Sequence, residues 1–327
     1  MHFLVIMLVM LAACGKRDKK PQDVSSGISA EVTARVAKYC ELSRPLYQAK
    51  KYTVDKCDGA GFTSLYAVAC QDNGVDLSVF QDPNGSMHRD PDNSCYVNGS
   101  PGEGSAARYS KDHVIMRMVA ALELKDLAWA ESFISYAEGV KGVFCDAKDE
   151  VTRLSRCVLT PGLWSRLYDL RKRLRGEAVS QVPDTTDPVS GNPTTLTGLP
   201  MNTGFAAHLD VVRIFLDSRL YGAITTSDRD ILKHQNGRIP EHSLYAAAYL
   251  RFDTEGSINE VNAQMSDEVH WPKDALPGPA NHCSSYLWTD DRLDGNNAVR
   301  PDWLPCQDDV PAFDATDYLF AAYVLGH

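Results

Sequence analysis

Apolar side chains in this chain recur every three or four residues, and that spacing excludes most folds before any other feature is weighed. Ile115, Met118, Val119 and Leu122 stand at i, i+3, i+4 and i+7, which gathers them on one helical face. Ser110 is placed to cap that helix, and Asp112 lies in its first turn, where the helix dipole favours a carboxylate. Leu163, Leu167, Leu170 and Leu174 repeat behind Pro161, with Arg171, Lys172, Arg173 and Arg175 at the far end and Gly176 as a stop. Phe205, Leu209, Val212 and Leu216 form a stripe that Val211, Ile214 and Phe215 widen until little of the helix is polar, so it belongs inside a bundle. Pro240 opens a further helix over 241–251, because a missing N–H costs nothing in a first turn. Weaker helical patterns cover 30–39, 61–70, 127–138, 228–234 and 258–265, and a hydrophobic helix spans 313–325. Runs of alternating β-branched residues are nearly absent, so the expected fold is all-α, with about ten helices.

Three long irregular stretches, 81–109, 177–202 and 267–311, interrupt the helices. Loops of such length in a compact domain are usually functional or disordered. The second is rich in Pro, Thr, Ser and Gly and reads as a long loop or a hinge between lobes. The other two hold cysteines together with His88, His270, His282, Trp271, Trp288 and Trp303 and are expected to be ordered. Many antiparallel helices joined by alternating short turns and long loops describe an (α/α) toroid-like helical array with long ordered loops and disulfides. In helix count and loop distribution the pattern resembles the glycan-processing toroids of periplasmic enzymes, and the resemblance carries no catalytic residues across.

Residues 3–13 are an apolar run of eleven, about half of the ~20 needed to cross a bilayer. The run has the length of a secretory leader core. Leu11-Ala12-Ala13-Cys14 resembles the bacterial lipobox, although the leader before it, Met1-His2, lacks the usual Lys or Arg. In that family the cysteine carries the lipid and becomes the mature N-terminus. The expected organisation is therefore a signal peptide over 1–13, a tether lipidated at Cys14 over 14–29, and one all-α domain over 30–327. Gly15 follows the cysteine, where an aspartate would signal inner-membrane retention, so an outer-membrane anchor facing the cell envelope is expected. Lys16, Arg17, Lys19 and Lys20 would lie against anionic lipid, each contributing on the order of 1 kcal/mol.

Eight cysteines remain besides Cys14, an even number that reads as a disulfide framework in an exported chain. Neighbouring pairs in sequence are Cys40–Cys57, Cys70–Cys95, Cys145–Cys157 and Cys283–Cys306, out of 105 connectivities eight cysteines allow. No Cys-x-x-Cys occurs, which argues against a zinc knuckle or a thioredoxin-like site. The formal net charge is -10. Setting aside the four basic residues and Asp18 of the tail leaves 29 basic against 42 acidic side chains, a body of -13 that repels nucleic acid.

Chemistry-bearing residues fall in seven stretches. Cys57-Asp58-Gly59-Ala60-Gly61 sets an acid before a helix between glycines, and Asp112-His113 opens the next helix. Each aspartate reads equally as a cap, but glycoside hydrolysis needs two carboxyls, and Asp58 with Asp112 is the first candidate pair. His88, Asp90 and Asp92 hint at a calcium loop that lacks its glycine and distal glutamate, and Asp290, Asp291, Asp294 and Gly295 form a similarly loose cluster. His208 sits in an apolar helix and Glu241-His242 at a helix start, with His282 in the last long loop. No His-Glu-x-x-His is present, and neither a metal nor a cofactor is expected. Trp271, Tyr286 and Trp288 make that loop a candidate platform for sugar rings. The expectation is an exported, lipid-anchored protein that binds and cleaves a cell-envelope or scavenged glycan by carboxylate acid/base chemistry, as a glycoside hydrolase or polysaccharide lyase. Asp58 and Asp112 would supply acid and base, with His208, His242 and His282 in support. The alternative is a non-catalytic outer-membrane lipoprotein acting as a scaffold or receptor for another protein.

Overall fold

The computed structural model describes residues 24, 27–48, 59–91, 111–144, 158–179, 194–196, 199–201, 208–238, 243–253, 255–268, 271, 276–277, 312–313 and 315–327. Among these the chain is all-α. Its ten α-helices are α1 Ala30–Gln48, α2 Gly59–Ala69, α3 Lys111–Glu123, α4 Leu127–Gly139, α5 Pro161–Leu174, α6 His208–Tyr221, α7 Thr226–Arg238, α8 Ser243–Phe252, α9 Ile258–Ser266 and α10 Thr316–Gly326. Extended structure is limited to two pairs, β1 Thr194–Leu196 antiparallel to β2 Leu199–Met201, and β3 Leu276–Pro277 parallel to β4 Ala312–Phe313. Most of the long stretches 81–109, 177–202 and 267–311 lies outside the described residues.

Local chemistry explains where the helices begin and stop. Leu163 N–H donates to Thr160 Oγ1 at 3.2 Å, Pro161 occupies the first turn, and Gly176 at φ +77° turns the chain away after α5. Glu260 N–H donates to Ser257 at the start of α9. Helix α1 runs nine residues beyond its expected end and carries Pro45 in its last turn, where one lost N–H is tolerable.

Five helices have almost no solvent face. Every residue of α2 from Gly59 to Val68 is buried, as are Ser243–Leu250 of α8, and α3, α6 and α10 are nearly so. A helix apolar or buried all round needs neighbours on every side. Here α2 packs on α3, α3 on α6, α6 on α8, α8 on α10 and α10 on α2, a circuit of five inner helices. The other five lie outside it: α1 against α9 and α10, α4 and α5 against α3, α7 against α6 and α8, and α9 against α8.

Side-chain ties fix which ends of the inner helices meet. Arg219 near the end of α6 and Tyr323 near the end of α10 both bond Glu123, the last residue of α3. At the opposite end Gly61 of α2 sits against His113 and Met116 of α3; a Cβ there would lie 2.9 Å from His113 Cδ2 and 2.6 Å from Met116 Sδ. Ser243 of α8 is linked through Trp271 to Tyr318 of α10. The last turns of α3, α6 and α10 thus meet at one end and the starts of α8 and α10 at the other, while Tyr47 ties the last turn of α2 to the start of α10.

Charge inside this layer is neutralised in place. Arg166 of α5 grips Asp217 of α6 bidentately, Nε to Oδ1 and Nη2 to Oδ2 both at 2.7 Å, and both side chains are fully buried. Arg213 donates to Asp217 at 3.1 Å and to Asp228 of α7 at 2.7 Å, joining three helices in one chain of ions.

The disulfide that the structure shows is Cys40–Cys70, with Cα atoms 5.5 Å apart, which corrects the sequence pairings Cys40–Cys57 and Cys70–Cys95. Packing rather than sequence proximity selects it. Tyr47 stacks on Tyr66 at 4.1 Å, and the Tyr66 hydroxyl donates to the Cys40 carbonyl, so α1 and α2 lie antiparallel with the two sulfurs in register. Cys14, Cys57, Cys95, Cys145, Cys157, Cys283 and Cys306 lie outside the described residues.

Two stability outcomes follow. Asp217→Ala, which strands the buried Arg166 guanidinium and leaves Arg213 with Asp228 alone, is expected to cost about 3–5 kcal/mol in urea unfolding, whereas Arg166→Met with Asp217→Leu should cost much less. Opening the loop with Cys40→Ser and Cys70→Ser should cost roughly 2–4 kcal/mol, and added reductant should then lower the midpoint of the variant less than that of the parent.

Candidate functional site

The polar residues of the inner helices gather at the end where those helices begin. Lys111, Asp112 and His113 open α3, His208 and Asp210 open α6, Ser243 opens α8, and Thr316 and Asp317 open α10. Asp112 is half-buried, while Lys111, His113, His208, Asp210 and Asp317 are each at most 5% exposed. Helix starts carry partial positive charge, so three of the acids sit where their ionised forms are favoured.

Several of these groups are held by neighbours. Asp210 accepts from Gln235 Nε2 of α7 at 3.2 Å. The Thr316 hydroxyl lies 2.6 Å from the hydroxyl of Tyr47, at the end of α1. Asp317 Oδ1 accepts from Tyr318 N–H at 2.9 Å. Gly61 lets α3 come close enough to set His113 against the first turn of α2, which no larger residue would permit without a shift. Burial pushes the phenols of Tyr39 and Tyr318 well above their ordinary range, with the Arg35 guanidinium working against it, so both stay neutral beside this end.

Trp271 is 1% exposed. Its indole N–H donates to Ser243 Oγ at 3.2 Å, its carbonyl accepts from Arg35 at 2.8 Å, and Tyr318 meets it edge-on at 4.9 Å. It therefore locks α1, α8 and α10 together as a core residue, which corrects its assignment as an open sugar platform. His208 lies in α6, as expected, and is buried. His88 is buried too, and its Nδ1 lies 2.7 Å from the Asp90 carbonyl, which only an N–H can satisfy. Among the described residues no three His, Cys, Asp or Glu side chains gather as a metal site. Asp58, His242, His282, Tyr286, Trp288, Asp92, Asp290, Asp291 and Asp294 lie outside the described residues; in the chain, Asp58 and His242 immediately precede α2 and α8.

Sequence reasoning passed over Lys111, Asp210 and Asp317, along with the ion chain of Arg166, Asp217, Arg213 and Asp228. Asp210, Arg213 and Asp217 recur at i, i+3 and i+7, a charged stripe on a helix otherwise apolar, and that stripe was a readable sign of buried partners. In this chain every carboxylate oxygen already accepts: Asp217 from Arg166 and Arg213, Asp228 from Arg213 and Thr225. Saturated and enclosed, it is built for holding helices, whereas the helix-start cluster keeps a carboxylate near solvent.

Comparison with known proteins finds no matching family model, no matching curated relative and no matching solved structure.

Asp228 makes the ion chain sensitive to acid. Burial pushes its carboxyl up, but Arg213 and the hydrogen bonds from Thr225 outweigh it and leave it below the ordinary carboxylate value. A depressed native pKa means stability that is present above the unfolded value of about 4 and is lost as pH falls through the native one. Urea midpoints measured from neutral pH down to about pH 3 should fall on the acid side, and Asp228→Asn should lower the neutral plateau and flatten that fall.

Proposed function

We propose that this chain is an exported, lipid-anchored protein whose inner helices close into an (α/α) toroid, with a mouth at their starts that binds and cleaves a glycan. The closed circuit of α2, α3, α6, α8 and α10, wrapped by five further helices, supports the toroid reading. The observation that carries the functional reading is the concentration of acids, histidines and a lysine at one end of that circuit. Of the five catalytic candidates, Asp112 and His208 lie in the first two residues of an inner helix, and Asp58 and His242 stand one residue before another in the chain.

In this reading Asp112, half-buried and at a helix N-terminus, serves as base or charge stabiliser rather than as the proton donor. The proton donor is a second carboxyl at the same mouth, with Asp58 as the candidate, and His208 and His242 support the pair. Tyr286 and Trp288 remain the proposed sugar contacts, without Trp271. Lipidation at Cys14 is read from the lipobox resemblance and places the mouth in the envelope compartment, on the outer membrane.

Turnover of envelope and plant polysaccharides by the purified full chain tests the reading. Asp112→Asn is expected to lower kcat about 10²–10⁴-fold while leaving the helical circular dichroism unchanged. A folded parent chain that neither binds nor cleaves any of these glycans overturns it in favour of the non-catalytic scaffold or receptor.

A further inference from the structure

Four Asn-Gly pairs stand in the sequence, and Asn73-Gly74, Asn84-Gly85 and Asn236-Gly237 fall within the described residues. Such a pair can rearrange without an enzyme. Glycine has no Cβ to shield its backbone nitrogen, so that nitrogen can attack the neighbouring carboxamide carbon unless it is held elsewhere. The three pairs are alike in sequence, and the fold treats them differently.

In Asn236-Gly237 the glycine lies inside α7, where the helical ladder commits its N–H to a carbonyl one turn earlier. In Asn84-Gly85 the glycine is buried at φ +93°, its N–H donates to the Asp82 carbonyl at 2.8 Å, and a Cβ in its place would lie 2.3 Å from the Ser132 carbonyl oxygen of α4. Asn84 is held too, because its Oδ1 accepts from Ser86 N–H at 2.9 Å. Asn73 and Gly74 are both exposed, in the turn after α2. The Asn73 carboxamide makes no hydrogen bond among the described residues, and Gly74 N–H donates only to the Asp72 side chain, to Oδ1 at 2.9 Å. That acceptor polarises the N–H bond whose proton must be lost when the nitrogen attacks.

We propose that Asn73 is a self-modification site, which converts to aspartate and isoaspartate in the folded protein while Asn84 and Asn236 are protected. The Gly74 nitrogen bonds to Asn73 Cγ, the bond from Cγ to the amide nitrogen breaks, and ammonia leaves with the proton that Gly74 gave up. Water then opens the cyclic imide at either carbonyl, giving an aspartyl or an isoaspartyl link. Nothing is oxidised or reduced. Either product sets a new carboxylate beside Asp72, which accepts from Arg44 and Gln48 of α1 and from Tyr66 of α2. The corner between α1 and α2 therefore gains negative charge as the protein ages, next to the Cys40–Cys70 bridge that keeps the two helices together.

The test incubates the full chain at mildly alkaline pH, folded and in urea, and follows each Asn-Gly pair by peptide mass mapping with an isoaspartate assay. In the folded chain Asn73 is expected to convert at least about tenfold faster than Asn84 or Asn236, since those two must first open locally. In urea the three should convert at similar rates, which separates the effect of the fold from that of the sequence. Gly74→Ala, whose Cβ would first meet the far end of Gln48 at 2.6 Å from Nε2, should slow Asn73 while leaving the helical circular dichroism unchanged. Conversion of Asn84 or Asn236 as fast as Asn73 in the folded chain, no conversion at Asn73, an unslowed Gly74→Ala, or a spread in rates that persists in urea overturns the proposal.

Discussion

Ionic groups inside a helix without a solvent face must find their counter-charges within the protein, and α6 shows what that requirement does to a fold. Asp210, Arg213 and Asp217 all lie in its buried surface. None could be enclosed alone, since an unpaired buried charge costs several kcal/mol. Arg166 from α5 and Asp228 from α7 complete the set, so the outer helices are placed by charge as well as by apolar contact. Hydrophobic burial is non-directional; a bidentate guanidinium–carboxylate pair is not, and it specifies which neighbour sits where and at what height.

Much of the architecture was readable from the chain. Helix α5 was legible from cap to stop, because Pro161, the leucine repeat and Gly176 all act locally. The end of α1 was not, since a proline in a last turn breaks no bond that tertiary packing cannot replace. Cysteine pairing was misread for a related reason: Cys40 and Cys70 are brought together by Tyr47 on Tyr66, a contact between helices that no spacing rule contains. Trp271 shows the limit at the candidate site. A tryptophan beside prolines and histidines looks like a loop residue until Ser243, Tyr318 and Arg35 are seen to close around it.

The separation of polar groups along the inner helices follows from helix polarity. Helices whose last turns meet, as those of α3, α6 and α10 do, present their N–H ends at one face and their carbonyl ends at the other. Aspartates at Asp112, Asp210 and Asp317 suit the first face, and arginines at the close of α5 and α6 suit the second. One set of backbone dipoles, aligned by packing, thus separates charge between two ends about 20 Å apart, the length of a thirteen-residue helix such as α3.

Cys40–Cys70 has a mechanical consequence. Tension applied at the amino-terminal side of α1 passes along the backbone only as far as Cys40, where the bridge diverts it straight to the end of α2. The intervening residues, including Pro45 and the aromatic stack of Tyr47 on Tyr66, carry none of the load. A molecule pulled at that end would fray first in the opening turns of α1, while the rest of that helix stays slack.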